Sequence, residues 1–252
     1  MRKYIVVFAA FFLVSFGFSG FVYAGKSSKI PDKLIMVTGV DKDASFLGSW
    51  LFLTYNEAFK RLGIELVYKK YPWKRCGLLA NEGEVDGDLW RSPSYGDVYQ
   101  NLVRVEETGP FGHFCAWAID PAIKDLNGWN SLKGTEYKVD YVRGTKVCES
   151  ELPKVVKKEN LQASNRLSDS IRKLIFKRTD VLILIDTHFY DELKNQEIIN
   201  SGIHKAGIMQ SAPSHVYFHK KHKDLAPSLS VVLKQMKKEK LYEKYKNMAI
   251  EK

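Results

Sequence analysis

Between Asp180 and Asp186 the chain runs Val181-Leu182-Ile183-Leu184-Ile185 with no polar residue. A strand with one wet face alternates apolar and polar side chains, so an unbroken run of this kind belongs to a sheet covered on both faces. Helices supply such covers, and the spacing of Leu167, Ile171, Leu174 and Ile175 predicts one just before the run. The start of the chain shows the same alternation of elements. Leu34-Ile35-Met36-Val37 predicts a strand, Leu47, Leu51, Tyr55, Ala58 and Leu62 a helix that Gly63 stops, and residues 64–68 a second strand. Strands alternating with helices predict an α/β chain. Such sheets bind ligands at the carboxyl ends of their strands, which here takes in the loop 38–45 with Asp41, Asp43 and Ser45.

A second dense stretch runs Tyr71-Pro72-Trp73-Lys74-Arg75 and then Gly83-Glu84-Val85-Asp86-Gly87-Asp88-Leu89-Trp90-Arg91. Pro72 suits a helix start, Cys76, Leu79 and Ala80 form a buried stripe, and Gly83 ends the helix. Residues 85–90 then re-enter the sheet and leave Arg91 at a strand's carboxyl end, before the turn Ser92-Pro93-Ser94. An arginine so placed can fork onto a carboxylate. Trp73 and Trp90 flank Arg75 and Arg91 and are candidate walls for a ligand, whereas Trp50, Tyr71 and Tyr95 read as core or wall. Glu82, Glu84, Asp86 and Asp88 lack the spacing of a calcium loop and read as a helix exit followed by acids alternating outward along a strand. Gly144-Thr145 follows a strand predicted over 137–143. It reads equally as an anion seat of free backbone N–H groups and as a plain N-cap by Thr145.

Residues 1–24 have the parts of a signal peptide: Arg2 and Lys3, an apolar core over 5–18, and Val22-Tyr23-Ala24 before the cut. Export to the periplasm is the expectation, with Gly25 rather than a lipidated cysteine after the cut; an uncleaved membrane anchor is the other reading of the same apolar run, which approaches spanning length. Lys and Arg number 39 against 29 Asp and Glu, a formal charge of +10 in 252 residues. The lysines are scattered or crowd residues 234–252, which reads as solvated helix surface and not as a nucleic-acid footprint. His215, His219 and His222 are interleaved with Lys220, Lys221 and Lys223, whose charge opposes a cation, so no metal is expected and the histidines read as solvated. Nucleophile elbow, P-loop and dinucleotide fingerprint are all missing, and no cofactor is expected.

The order Y-P-W-K-R, G-E-V-D-G-D-L-W-R, then Tyr99-Gln100-Asn101-Leu102-Val103-Arg104-Val105, Gly109-Pro110-Phe111 and Leu132-Lys133-Gly134 resembles the bacterial extracellular solute-binding proteins of family 3. The pair formed by the helix at 167–175 and the strand Val181–Ile185 resembles that family's G-R-x-D-A unit, with Lys177-Arg178-Thr179 in place of the glycine-arginine turn. The resemblance implies a two-lobed periplasmic-binding-protein fold of type II, each lobe a mixed sheet flanked by helices, with two crossing strands between them. Residues 25–112 and 206–252 would build the first lobe and 113–205 the second.

By the same resemblance the protein would close, without turnover, on a small polar solute, an amino acid or related carboxylate, for uptake or sensing. It would act as a monomer with a membrane permease or receptor as partner and no nucleic acid. Arg91 would take the carboxylate, supported by Thr145, and Asp186 the ammonium, with Trp73 and Trp90 as walls and Arg75 and Arg143 as the next arginines in line. The chain departs from the family's T-x-E-R segment, having Ser92-Pro93-Ser94-Tyr95 there. The alternative is an exported, dehydratase-like enzyme of the same fold acting on a small carboxylate with Glu84 or Asp86 as acid. Cys115 and Cys148 share the second lobe in this scheme, so a disulfide, if formed, would join them and leave Cys76 as a buried hydrophobe.

Overall fold

The computed structural model describes residues 30–192 and 194–252, so the expected signal peptide over 1–24 lies outside the described residues. In chain order the elements are β1 (Lys33–Thr38), α1 (Phe46–Arg61), β2 (Glu65–Lys70), α2 (Trp73–Glu82), β3 (Gly87–Arg91), α3 (Tyr95–Val98), β4 (Leu102–Arg104) and β5 (Gly112–Ala118). Then come β6 (Leu126–Asn127), β7 (Val139–Val142), α4 (Lys146–Glu151), β8 (Leu161–Ser164), α5 (Leu167–Ile175), β9 (Val181–Ile185), α6 (Asp186–Glu192) and α7 (Gln196–Asn200). The chain closes with β10 (His204–Ala212), β11 (His215–His219), α8 (Leu225–Lys238) and α9 (Leu241–Ile250).

These strands form two mixed sheets, ordered β2-β1-β3-β11-β4 and β6-β10-β5-β9-β7-β8. In the first, β1 runs parallel to β2 and β3, while β11 runs antiparallel to β3 and β4. In the second, β7 is parallel to β8 and β9, and β5 is antiparallel to β9 and β10. Two segments cross between the sheets, 105–111 and 213–214. They are tied together where Gly109 N donates to Ser214 O at 2.9 Å and Ser214 Oγ donates to Pro110 O at 2.6 Å. This is the two-lobed binding-protein fold that the sequence leads one to expect, with one difference in the boundary. β10 stays paired with β5 as far as Ala212↔Gly112, so the chain leaves the second sheet later than the expected residue 205. Gly207 and two register irregularities in β10 break the alternation by which the strand would be read from sequence.

The apolar run in β9 is buried at every position, and its residues divide between two cores. Val181 and Ile183 pack with Ala116, Leu132 and Val139 on one face, while Leu182 and Leu184 pack with Cys115, Ile171 and Leu174 on the other. The first sheet is covered on both faces as well. Leu34 and Met36 meet Leu51, Tyr55 and Phe59 of α1, and Val37 meets Cys76 and Ala80 of α2. Each such side chain, fully buried, contributes roughly 1.5–3 kcal/mol of transfer free energy.

Double coverage corrects the expected outward alternation of acids. Asp88 is wholly buried, and Asp86 accepts from Ile35 N at 2.7 Å and pairs with Lys221 and His222 at 2.9 and 2.7 Å. The histidines differ from expectation for the same reason. His215 is buried and donates from Nδ1 to Val105 O at 2.8 Å, and His222 is taken up by Asp86.

The cysteines lie in three separate cores, Cys76 under the first sheet and Cys115 and Cys148 on opposite faces of the second. All three are free and buried, and the sheet itself stands between Cys115 and Cys148, the pair expected to bridge if any disulfide formed.

Helix ends follow local rules that bear on the site. Ser45 caps α1 by accepting from Gly48 N at 3.0 Å, and Gly83 closes α2 at φ +77°, a conformation that disfavours residues with a Cβ. From α6, Asp191 Oδ1 accepts from Phe46 N at 2.7 Å and Tyr190 lies 4.5 Å from the Phe46 ring, so an element that follows the second sheet caps the first helix.

Candidate ligand site

β3 ends beside the crossing segments, where Arg91 stands opposite His215 of β11. Its guanidinium is held on three sides. Nε donates to Asp88 Oδ2 at 2.7 Å and Nη2 to Trp73 O at 2.9 Å, while the Trp73 and Tyr95 rings lie 4.7 and 4.6 Å from Cζ. Stacking of a guanidinium between aromatic faces contributes on the order of 0.5–2 kcal/mol and fixes its plane. Nη1 makes no hydrogen bond to another described residue. Trp73 begins α2 at the mouth of the site and is 39 % exposed, and it packs flat on Gly39, where an added Cβ would sit 2.1 Å from the indole. Trp90, centred 5.9 Å from Trp73, donates its Nε1 to Pro110 O at 2.9 Å and so ties the site to a crossing segment.

These residues enclose a cavity of about 300 Å³, lined by Trp73, Trp90, Arg91 and Tyr95 and by Ser92, Ala212, Pro213 and Ser214. Three larger hollows lie elsewhere. One of about 490 Å³ sits at the end of the second sheet remote from the crossing, beside Asp120 and Lys177, one of about 610 Å³ lies between β4 and α8, and one of about 360 Å³ lies on α5, beside Arg172 and Lys173. The smaller cavity is the candidate site because it alone of these joins aromatic walls, a fixed cation and the crossing segment 213–214.

Behind Arg91, Asp88 has no exposed surface, and its Oδ1 lacks a hydrogen-bond partner among the described residues. Burial pushes its carboxyl up to about 6, against the pull of Arg91 and the weaker hydrogen bond from Tyr95 Oη at 3.3 Å. Burial and the neighbouring Asp88 also push the Tyr95 phenol up, which keeps it a neutral donor.

The other expected residues are spread more widely. Asp186 directly follows β9 at the crossing, as anticipated, and begins α6, yet it is 3 % exposed and already engaged: Oδ1 accepts from His113 N at 2.9 Å, and Oδ2 lies 3.4 Å from Lys205 Nζ and 3.6 Å from His113 Nδ1. The close approach requires Gly112, where a Cβ would lie 2.6 Å from Asp186 Oδ1. Thr145 precedes α4 without a side-chain cap. The backbone N–H groups proposed there as an anion seat are used internally, Gly144 N by Glu149 Oε1 at 2.8 Å and Thr145 N by Val142 O at 3.1 Å. Arg75 is exposed and stacks on Tyr71 at 5.4 Å, and Arg143 Nε donates to Asn165 Oδ1 at 3.0 Å. None of these four lines the cavity.

Sequence reasoning did not reach Asp88 as the partner of Arg91, nor Lys205 as the partner of Asp186. An acid three residues before an arginine in a strand lies on the opposite face by strict alternation, so only the irregular pairing between His215 and Tyr217 opposite β3 lets the two meet. Lys205 carries no sequence signal for its role.

No protein-family model matches the chain. An uncharacterized protein of Shewanella oneidensis is 33 % identical over 209 residues, covering 83 % of this chain and 79 % of that protein. The two belong to one family. Among solved structures, an L-cystine solute receptor of Neisseria gonorrhoeae in its unliganded open conformation matches at TM-score 0.68 and 15 % identity, over 86 % of this chain and 92 % of that one. An ancestral arginine-binding protein bound to arginine matches at 0.56 and 16 %, over 86 % and 97 %. An amino acid ABC transporter substrate-binding protein of Streptococcus pneumoniae bound to L-arginine matches at 0.55 and 14 %, over 87 % and 95 %. At such identities the likeness shows a shared fold. Among the described residues no helix is long and apolar enough to cross a membrane.

Proposed function

We propose that the protein is an exported solute-binding protein of the family 3 type, which holds a small carboxylate-bearing solute, an amino acid or related carboxylate, in the cavity beside the crossing segments and releases it unchanged. The observation that carries this reading is the state of Arg91: fixed by Asp88, Trp73 and Tyr95 on the wall of an aromatic cavity, it keeps Nη1 without a hydrogen bond to another described residue. A preorganised guanidinium binds a carboxylate without first losing its own rotamer freedom. Closure of the two sheets about the crossing segments would exclude water and strengthen the contact.

Likeness of fold to an amino acid ABC transporter substrate-binding protein supports a membrane permease as partner; we infer that the protein acts as a monomer in the periplasm, with a receptor as the alternative partner. The test is mass spectrometry of small molecules released by gentle unfolding from protein purified out of the exported fraction, followed by calorimetry with the molecule found. A stoichiometric carboxylate that rebinds is the expected result. Turnover of that molecule would replace the binding reading with the enzymatic one.

A further inference from the structure

We propose that the solute is a carboxylate without an ammonium group, its apolar body lying against Trp73, Trp90 and Tyr95 and its carboxylate on Arg91; this rests on the solute-binding reading above. The charge inventory of the site carries the inference. A zwitterion has to satisfy both of its ends, and an ammonium left unpaired in a closed site costs heavily. The candidate cavity offers one cation and no carboxylate on its walls, the rest being indole, phenol, serine and proline-alanine surface. Asp88, the nearest acid, is wholly buried behind Arg91 and bound to it.

The acids at the crossing are already engaged: Glu106 pairs with Arg104, Glu107 with Lys237, and Asp186 has an ammonium, that of Lys205. Lys205 leaves β10, reaches past the Trp117 ring at 5.7 Å and ends 3.4 Å from Asp186 Oδ2, while His113 covers the remaining approach. Burial works to discharge this lysine, but the neighbouring negative charge, that of the Asp186 carboxylate at neutral pH, outweighs burial and holds its pKa above the ordinary value, so it stays a cation there. The chain thus supplies from within the charge that an amino acid would bring. An incoming α-ammonium would have to expel Lys205 and would meet its positive charge.

Matched pairs of probes that differ only in the amino group test this: 3-phenylpropionate with L-phenylalanine, 3-(indol-3-yl)propionate with L-tryptophan, and 4-methylpentanoate with L-leucine, each titrated calorimetrically into the wild-type protein. In the pairs that bind, the deaminated acid should bind at least about tenfold more tightly, as expected for one unpaired charge. Lys205→Gln should narrow that gap by freeing Asp186, and Lys205→Arg, which retains the charge, should leave it in place. An amino acid that binds wild type as tightly as its deaminated partner overturns the inference and leaves the solute-binding reading standing. If no member of any pair binds, and no carboxylate is released from the purified protein, both fall together.

Discussion

Asp88 accepts a hydrogen bond from Arg91 Nε at 2.7 Å from a position with no exposure to water, and the arginine it holds is the one cation on the wall of the candidate cavity. Support and ligand contact are therefore coupled: a change that removes the guanidinium also strips a buried carboxylate of its partner. Breaking one side of such a pair costs on the order of 3–5 kcal/mol. Arg91→Ala should destabilise the protein by about that much at pH 7.5 and by less at pH 5, where Asp88 can take up a proton. Asp88→Asn combined with Arg91→Met should recover much of the loss. Urea denaturation of the two variants at both pH values checks this, and equal destabilisation by the single and double changes would contradict it.

The elevated carboxyl of Asp88 sets a pH dependence with a definite sign. Its folded pKa of about 6 lies above the ordinary 3.8, so the folded protein binds the proton more tightly than the unfolded chain does. Through this group stability is fully present below about pH 4 and is lost as pH rises toward 6, in all about 3 kcal/mol. Protonating Asp88 also leaves Arg91 uncompensated, so carboxylate affinity should rise as pH falls from 7.5 to 5.5. Asp88→Asn should flatten that rise. Calorimetry across this range with a bound carboxylate is the check, and affinity that is flat or falling in wild type would count against the pairing.

Trp73 is half in water and rests on Gly39. Trp73→Ala should weaken binding by about tenfold, within the 0.5–1.5 kcal/mol range or somewhat above for a stacked aromatic, while moving the melting temperature little. Gly39→Ala should do the same without touching the ligand, since its Cβ would displace the indole. Quenching of tryptophan fluorescence on ligand addition reports both, and wild-type titration curves from both variants would remove Trp73 from the site.

Much of the fold can be read from residues that carry one meaning only. The run Val181–Ile185 admits a strand covered on both faces and nothing else of that length, and Gly83 marks a helix end by its own chemistry. Arg91 was legible as a strand-end arginine because the turn Ser92-Pro93-Ser94 bounds it. Asp88 was not, because alternation assigns direction only when one face of a sheet is wet, and here α2 covers the second face. The use of Asp186 by Lys205 depends on the pairing of β10 with β5, a contact between segments far apart in the chain that local pattern does not encode.

The cysteines yield an independent check of the packing. Burial pushes the thiols of Cys76 and Cys115 up to about 11 and that of Cys148 up to about 12, and each lies in its own core. The folded protein should resist iodoacetamide at pH 7.5, take up three labels per chain once unfolded, and melt at the same temperature with and without reductant. A disulfide-linked peptide in a non-reducing digest would show that the two faces of the second sheet are placed wrongly.

The central claim, that Arg91 seats a carboxylate in the aromatic cavity, is tested most directly by calorimetric titration of a binding carboxylate into wild type and into Asp88→Asn/Arg91→Met, the variant that removes the guanidinium without stranding a buried charge. One site per chain in wild type and at least about a tenfold loss in the variant is the expected result. Unchanged affinity in a folded double variant would contradict the account and place the carboxylate seat elsewhere in the molecule.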